Sequence, residues 1–231
     1  MVTNLYIARH GQTTWNEEHR IQGMLDSPLT KAGKEQASRL GRFLSGTNLN
    51  TIYSSSSKRA VHTAEIVNSF QDERCNLIKE DDLREIGLGE WEGMKRAEVT
   101  QLYPSLQDTY FNDPENFEPV GNGETLLEVK ERALGVLGRI LAMEKGKNIL
   151  ILSHSAVVKI LMAHFDGRPF SRLWNPPRVK QASLSHIQIS QTDHLILKYA
   201  DTSFLRARGE IIPVWGRFKL ASAIKAPFEG S

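Results

Sequence analysis

Two histidines and two arginines stand where they could handle an anion. Arg9 and His10 end a short apolar run, His154 ends another at residues 148–153, and Arg59 follows an apolar stretch at 51–54 and a serine cluster. Taken singly, each is as readily a surface or packing residue. Taken together, they fall just past the ends of three strand candidates, where open α/β sheets bind ligands. If those strands are parallel neighbours, four groups able to carry positive charge converge on one edge. That is costly unless an anion lies among them. Phosphate is the natural candidate. Guanidinium forks match its oxygens, and the N–H groups of helix starts add partial positive charge. Gly11 would let the backbone approach such an anion closely.

The elements that must position these groups alternate. Residues 4–8 and 51–54 read as strands, and 148–153, with Ile149, Leu150, Ile151 and Leu152 in succession, as a strand covered on both faces. Residues 184–189 and 195–199 read as two more, joined by a turn around Thr192 and Asp193. Helical spacing runs through 29–44 (Ala37, Leu40, Gly41, Leu44), 59–70 (Ala60, Ala64, Val67) and 156–165. The serines before Arg59 predict a helix start, and Thr125-Leu126-Leu127-Glu128 has capping-box form and opens a helix to about Met143. The fold class is therefore α/β: a three-layer sandwich with a mainly parallel central sheet and helices on both faces. Residues 92–122, rich in Pro, Asn, Asp and aromatics, predict a small lid subdomain of short helices and loops. One domain spans 1–200, and 201–231 is a C-terminal extension whose periodicity is weak.

The bulk numbers exclude several function classes. The chain has 231 residues and a net charge of +2, too small to argue for nucleic acid or a membrane surface. No run reaches the roughly 18 apolar residues of a membrane span. Cys75 is the only cysteine, which rules out an internal disulfide and disfavours a Cys-based metal site. Arg9 and His10 interrupt the N-terminal apolar stretch too early for a signal peptide. These features predict a cytoplasmic protein; the convergent histidines and arginines, not the bulk numbers, point to a small phosphorylated ligand, and a homodimer is an open option. No metal is expected, since no ligand spacing is recognisable, and no cofactor.

The motifs RHGQTTWN (9–16), IQG (21–23), DSPLT (26–30), SSSSKRAVHTAE (54–65), LREIGLGEWEG (83–93), GNGET (121–125) and LILSHSAVVK (150–159) occur in one order along the chain. In these the sequence resembles the histidine phosphatase, or phosphoglycerate mutase-like, superfamily. LWNPP (173–177) adds a resemblance to its bacterial broad-specificity phosphatases. The resemblance implies His10 as the nucleophile that becomes phosphorylated, Arg9, Arg59 and His154 as the phosphate pocket, and Glu85 as the proton donor. Asn16, Gln22 and Gly23 match positions that line the pocket. Spacing alone would not choose Glu85 over Asp81, Asp82, Glu90 or Glu92. Two positions depart from the pattern. Gln12 stands where glutamate is usual, which would make the pocket edge more neutral. Ser155 replaces a glycine, and its hydroxyl would crowd the anion or bond to it.

These roles agree with elementary chemistry. An imidazole attacks phosphorus only through an unprotonated nitrogen, and nearby positive charge lowers its pKa. Covalent capture splits one hard displacement into two, and fixed cations stabilise the charge on the transferring group. The function expected is a metal-independent phosphomonoesterase. The alternatives are a phosphoglycerate mutase-type transfer and a non-catalytic phospho-ligand binding protein. The mutases of the family carry a longer, more basic insertion, whereas residues 92–122 are short and hold Glu98, Asp108, Asp113, Glu115 and Glu118. That favours hydrolysis, or a substrate whose body is neutral or weakly anionic. The aromatics there would suit a hydrophobic leaving group.

Overall fold

In the computed structural model, which describes residues 1–206, the apolar runs form one mixed sheet. Its strands are β1 (Thr3–Arg9), β2 (Thr51–Ser55), β3 (Asn76–Glu80), β4 (Asn148–Ser153), β5 (Leu184–Ile189) and β6 (His194–Asp201). They lie in the order β3-β2-β4-β1-β5-β6. The first four are mutually parallel; β5 runs antiparallel to β1, and β6 to β5. Strand β3 was not among the expected elements, because an edge strand with half-exposed side chains leaves little apolar signal.

The helices are α1 (Thr14–Glu17), α2 (Lys31–Leu44), α3 (Lys58–Asn68), α4 (Arg96–Leu102), α5 (Pro104–Asn112), α6 (Leu126–Met143) and α7 (Ser155–Phe165). On one face of the sheet Leu5, Ile7, Ile149 and Ile151 pack with Leu137 and Ile140 of α6, Leu161 of α7, and the aromatics Trp91, Tyr110 and Phe117. On the other, Tyr6, Ala8, Ile52, Leu150 and Leu152 meet Leu40 and Leu44 of α2 and Ala64 and Val67 of α3. Both faces are thus covered, which is why β1 and β4 carry apolar residues continuously rather than alternately. Each such side chain contributes about 1.5–3 kcal/mol on burial.

Helix starts follow the sequence at two places and depart from it at a third. Thr30 accepts from the Gly33 N–H, and Thr125 and Glu128 form the reciprocal capping box. At α3 the N-cap residue Ser57 makes no side-chain cap. The carboxylate of Asp26 takes the Lys58 N–H at 2.7 Å and the Arg59 N–H at 3.4 Å instead.

The expected boundary at residue 200 falls inside packed structure. β6 ends at Asp201, and a 3₁₀ turn, Ser203–Leu205, follows. Phe204 stacks on Phe43 at 4.8 Å, and Arg39 donates to the Leu205 carbonyl. The rest of the expected extension, 207–231, lies outside the described residues. No described helix is long and apolar enough to cross a membrane.

Candidate active site

The sheet's register assembles the site. Arg9 on β1 pairs with Ser153 on β4, so His10 and His154 leave adjacent parallel strands at the same level. The His10 N–H donates to the Ser153 carbonyl, and the two imidazole centroids stand 5.1 Å apart. β2 flanks β4 on the far side and brings Ser55 within 2.8 Å of His154 Nε2. The turn after β2 delivers Arg59. A cavity of about 540 Å³ opens at this edge, and Arg9, His10, Asn16, Gln22, Gly23, Arg59, Glu85 and Ser155 all line it. A second cavity, of about 530 Å³, touches Arg59 but reaches neither histidine.

His10 is poised as a neutral imidazole with one nitrogen open. Its Nδ1 lies 2.7 Å from the Gly11 carbonyl, which can only accept, so Nδ1 carries the proton and Nε2 the lone pair. Nε2 has no protein partner among the described residues. Burial pushes the His10 pKa well below the usual imidazole value, and the guanidiniums of Arg59 and Arg9 push it further.

His154 is fully buried and held down in the same way, by burial first and then by Arg59, His10 and Arg9. The Ser55 hydroxyl accepts from the Ser57 N–H and lies 2.8 Å from His154 Nε2. His154 Nδ1 is buried without a partner.

The arginines are anchored largely by carbonyls, and each keeps donors unused. Arg59, 2 % exposed, donates to the carbonyls of Leu25 and Gly23 and to Asp26. Arg9 donates to the Val179 carbonyl, and desolvation pulls its pKa to about 10 despite the opposing charge of Glu85. The Nε of each is buried and unpaired. Asn16 and Gln22 have committed their amide oxygens, to the Thr13 N–H and the Ser27 hydroxyl. Their NH₂ groups have no protein acceptor among the described residues.

Of the five acids close together in sequence, Glu85 alone lines the cavity. Asp81 bonds Ser56, Asp82 pairs with Arg139, Glu90 accepts from Tyr103, and Glu92 accepts from the N–H groups of Met24 and Leu88. Glu85 accepts from the Ser155 N–H at 2.9 Å and the Ala156 N–H at 3.1 Å, the first turn of α7. The helix starts are therefore occupied by the protein's own carboxylates, Glu85 at α7 and Asp26 at α3. This corrects the expectation that they would hold the ligand.

Gly11 also has a different reason. A Cβ there would meet the Gly33 carbonyl oxygen at 2.5 Å, so it is the start of α2 that excludes a side chain. Gly23 combines φ +52° with a position where a Cβ would strike the Glu92 carboxylate at 2.0 Å, and its carbonyl anchors Arg59. Gln12 does not line the cavity; its side chain accepts from the Thr30 hydroxyl. Ser155 does line it, with its hydroxyl unbonded among the described residues. None of the five acids expected to colour residues 92–122 reaches the cavity. That segment instead contributes Arg96, Gln107, Tyr110 and Phe111.

Sequence reasoning missed the support of Glu85. Arg132 of α6 donates to the carbonyls of Asp82, Arg84 and Glu85 and forks onto Glu124, which in turn accepts from the Gly87 N–H. Glu124 lies in the GNGET motif, but nothing local in the sequence marks Arg132. No group of three or more His, Cys, Asp or Glu among the described residues is arranged to hold a metal ion.

A neutral imidazole, two anchored guanidiniums and a carboxylate line one cavity, a set of groups suited to phosphoryl transfer. The chain belongs to the histidine phosphatase superfamily (branch 1), whose sequence profile matches residues 5–202. It is 33 % identical over 204 residues to phosphoserine phosphatase 1 of Hydrogenobacter thermophilus, covering 88 % of this chain and 95 % of that one. To the adenosylcobalamin/alpha-ribazole phosphatase of Escherichia coli it is 31 % identical over 204 residues, 88 % and 96 % of the two chains. The solved structure of Bacillus stearothermophilus YhfR superposes with a TM-score of 0.83 at 38 % identity, over 88 % of this chain and all of the other. The protein is an enzyme that hydrolyses phosphate monoesters.

Proposed function

We propose that hydrolysis runs through a phosphohistidine at His10, with small phosphorylated metabolites as substrates. His10 Nε2 attacks phosphorus, the P–N bond forms, and the ester P–O bond breaks. Protonated Glu85 gives its proton to the leaving alkoxide. Water then attacks the phosphohistidine as the carboxylate of Glu85 takes its proton, the P–N bond breaks, and inorganic phosphate leaves. The Nε–H groups of Arg9 and Arg59 and the Nδ1–H of His154 bind the equatorial oxygens. Asn16 and Gln22 add amide donors, Ser155 its hydroxyl, and Gly23 the backbone turn that orients Arg59. The fixed guanidiniums supply the charge stabilisation that a divalent metal gives elsewhere. A reducing compartment, the cytoplasm, suits a chain whose single cysteine has nothing to pair with.

The observation that supports this mechanism is the set of three buried nitrogens without a hydrogen-bond partner, Arg9 Nε, Arg59 Nε and His154 Nδ1, in the residues that meet the neutral His10 imidazole. Buried donors are rarely left unsatisfied, and one phosphoryl group would satisfy all three. The test is turnover of p-nitrophenyl phosphate with and without EDTA, with enzyme quenched in alkaline detergent assayed for labelled phosphate. Expected are EDTA-insensitive turnover and an acid-labile phosphoenzyme, both lost in His10→Ala while circular dichroism is retained. A phosphoenzyme in His10→Ala would overturn the nucleophile. Isomerisation outpacing phosphate release would favour mutase-type transfer.

A further inference from the structure

One wall of the cavity is a strap of chain, residues 173–181, that forms neither helix nor strand; Trp174, Pro177 and Val179 of the strap line the cavity. Leu173 and Val179 are buried among the core residues. Between them Pro176 and Pro177 carry no N–H, so the strap cannot pair its own backbone and its carbonyls depend on outside donors. Three cations supply them. Lys159 of α7 donates from Nζ to the Asn175 carbonyl, with the Pro177 carbonyl 3.5 Å away. Arg168 donates to the carbonyls of Asn175 and Pro176. Arg9 donates to the Val179 carbonyl at 2.9 Å. The anchor of Arg9 thus lies two residues beyond the carbonyls that Lys159 meets.

Of these three, Lys159 is the one set to lose its charge first. It is 3 % exposed and pairs with no carboxylate among the described residues. Around it stand Arg168 and Asp166, paired with each other at 2.8 Å, and Tyr199 of β6, whose ring centre is 5.7 Å from Nζ. Arg178 and Lys180 of the strap line the same cavity. Burial, and then the charge of Arg168, pull the Lys159 pKa down to about 8 against the attraction of Asp166. Tyr199, pushed up to about 12, stays protonated. A charged donor makes roughly twice the hydrogen bond of a neutral one, so the hold on the strap weakens when the ammonium becomes an amine.

We infer that Lys159 is a positioning residue for phosphate binding: as an ammonium it holds the strap that anchors Arg9, and its deprotonation loosens the grip of Arg9 on the phosphoryl group. The inference rests on the phosphate-binding role proposed above for Arg9. The test is the Kd for inorganic phosphate, by calorimetric titration at pH 7.5 and pH 9, in the wild type, K159Q, K159M and R9Q. At pH 9 Arg9, with its own pKa at about 10, is still charged. Expected at pH 7.5 is a Kd raised about fivefold in K159Q, the difference between a charged and a neutral donor, and more in K159M, which has no donor. The wild-type Kd rises roughly two- to fivefold from pH 7.5 to pH 9, and the K159Q value does not follow it. A purely structural lysine would lower the Tm of K159M and leave the pH dependence of Kd the same in K159Q as in the wild type. That outcome, or equal Kd values in the wild type and K159Q, overturns the inference while hydrolysis stands. If K159M does not fold, K159Q and the wild-type pH dependence decide. A Kd unmoved in R9Q overturns the role given to Arg9, and this inference with it.

Discussion

Arg132 and Glu124 meet through two hydrogen bonds, of 2.8 and 2.9 Å, and between them hold the backbone at Asp82, Arg84, Glu85 and Gly87. The proposed proton carrier thus owes its place to a side chain 47 residues later in the sequence. Arg132→Ala leaves Glu124 and three carbonyls without their donor, which costs about 3 kcal/mol for a largely buried pair. It also frees Glu85, so kcat for alkyl phosphates falls more than kcat for p-nitrophenyl phosphate. Arg132→Lys restores charge but not the fork, and recovers stability better than activity. Loss of stability with unchanged leaving-group sensitivity would make Arg132 a structural residue only.

Glu85→Gln keeps the volume and removes the proton. Esters of poorly acidic alcohols are expected to slow by 10²–10⁴-fold, the usual range for a lost general acid. Aryl esters with good leaving groups lose much less. A leaving-group series measured on both proteins checks this; equal losses across it would remove Glu85 from the proton-transfer step.

Gly11→Ala forces a methyl group against the Gly33 carbonyl, and α2 cannot retreat without moving its own cap. The cost expected is about 1–3 kcal/mol, as for overpacking in a tight core. A thermal melt registers this as a lowered Tm. An unchanged Tm with weakened phosphate inhibition would mean that Gly11 serves the anion instead.

Burial keeps His10 and His154 neutral, and this sets a pH dependence of stability. Their pKa values in the folded protein lie well below 6.5, while in the unfolded chain they sit near it. Below that value the unfolded chain binds more protons. Stability from this source is therefore complete above pH 6.5 and declines as pH falls, by up to about 1.4 kcal/mol per pH unit for each histidine. Urea unfolding at several pH values should show this decline, and a reduced slope in His154→Asn. A slope indifferent to both His10→Asn and His154→Asn would contradict it.

The central strands, the long helices and the capping box at Thr125 were legible because each is written in neighbouring residues: a run of aliphatics, a 3.6-residue spacing, a Thr-x-x-Glu. The two histidines and two arginines were legible from their places after strands, and the family motifs added Glu85. What escaped depends on contacts distant in sequence. Asp26 caps a helix that begins 32 residues later, in place of the serines beside it. The carboxylate of Glu85 sits on a helix start 70 residues away. The acids of residues 92–122 were counted correctly, but none of them lines the cavity, whereas Arg96 does. The turn at Thr192 and Asp193 marks β6 as antiparallel to β5, but nothing local sets β5 antiparallel to β1.

The two histidines ride on β1 and β4, the middle pair of the six strands. Backbone there is the last to exchange its amide hydrogens, because opening it requires the whole domain to come apart. Rims such as β3 and β6 can fray and re-form many times while the imidazoles stay aligned. Loss of activity on heating should therefore coincide with global unfolding, with no earlier, inactive but folded stage.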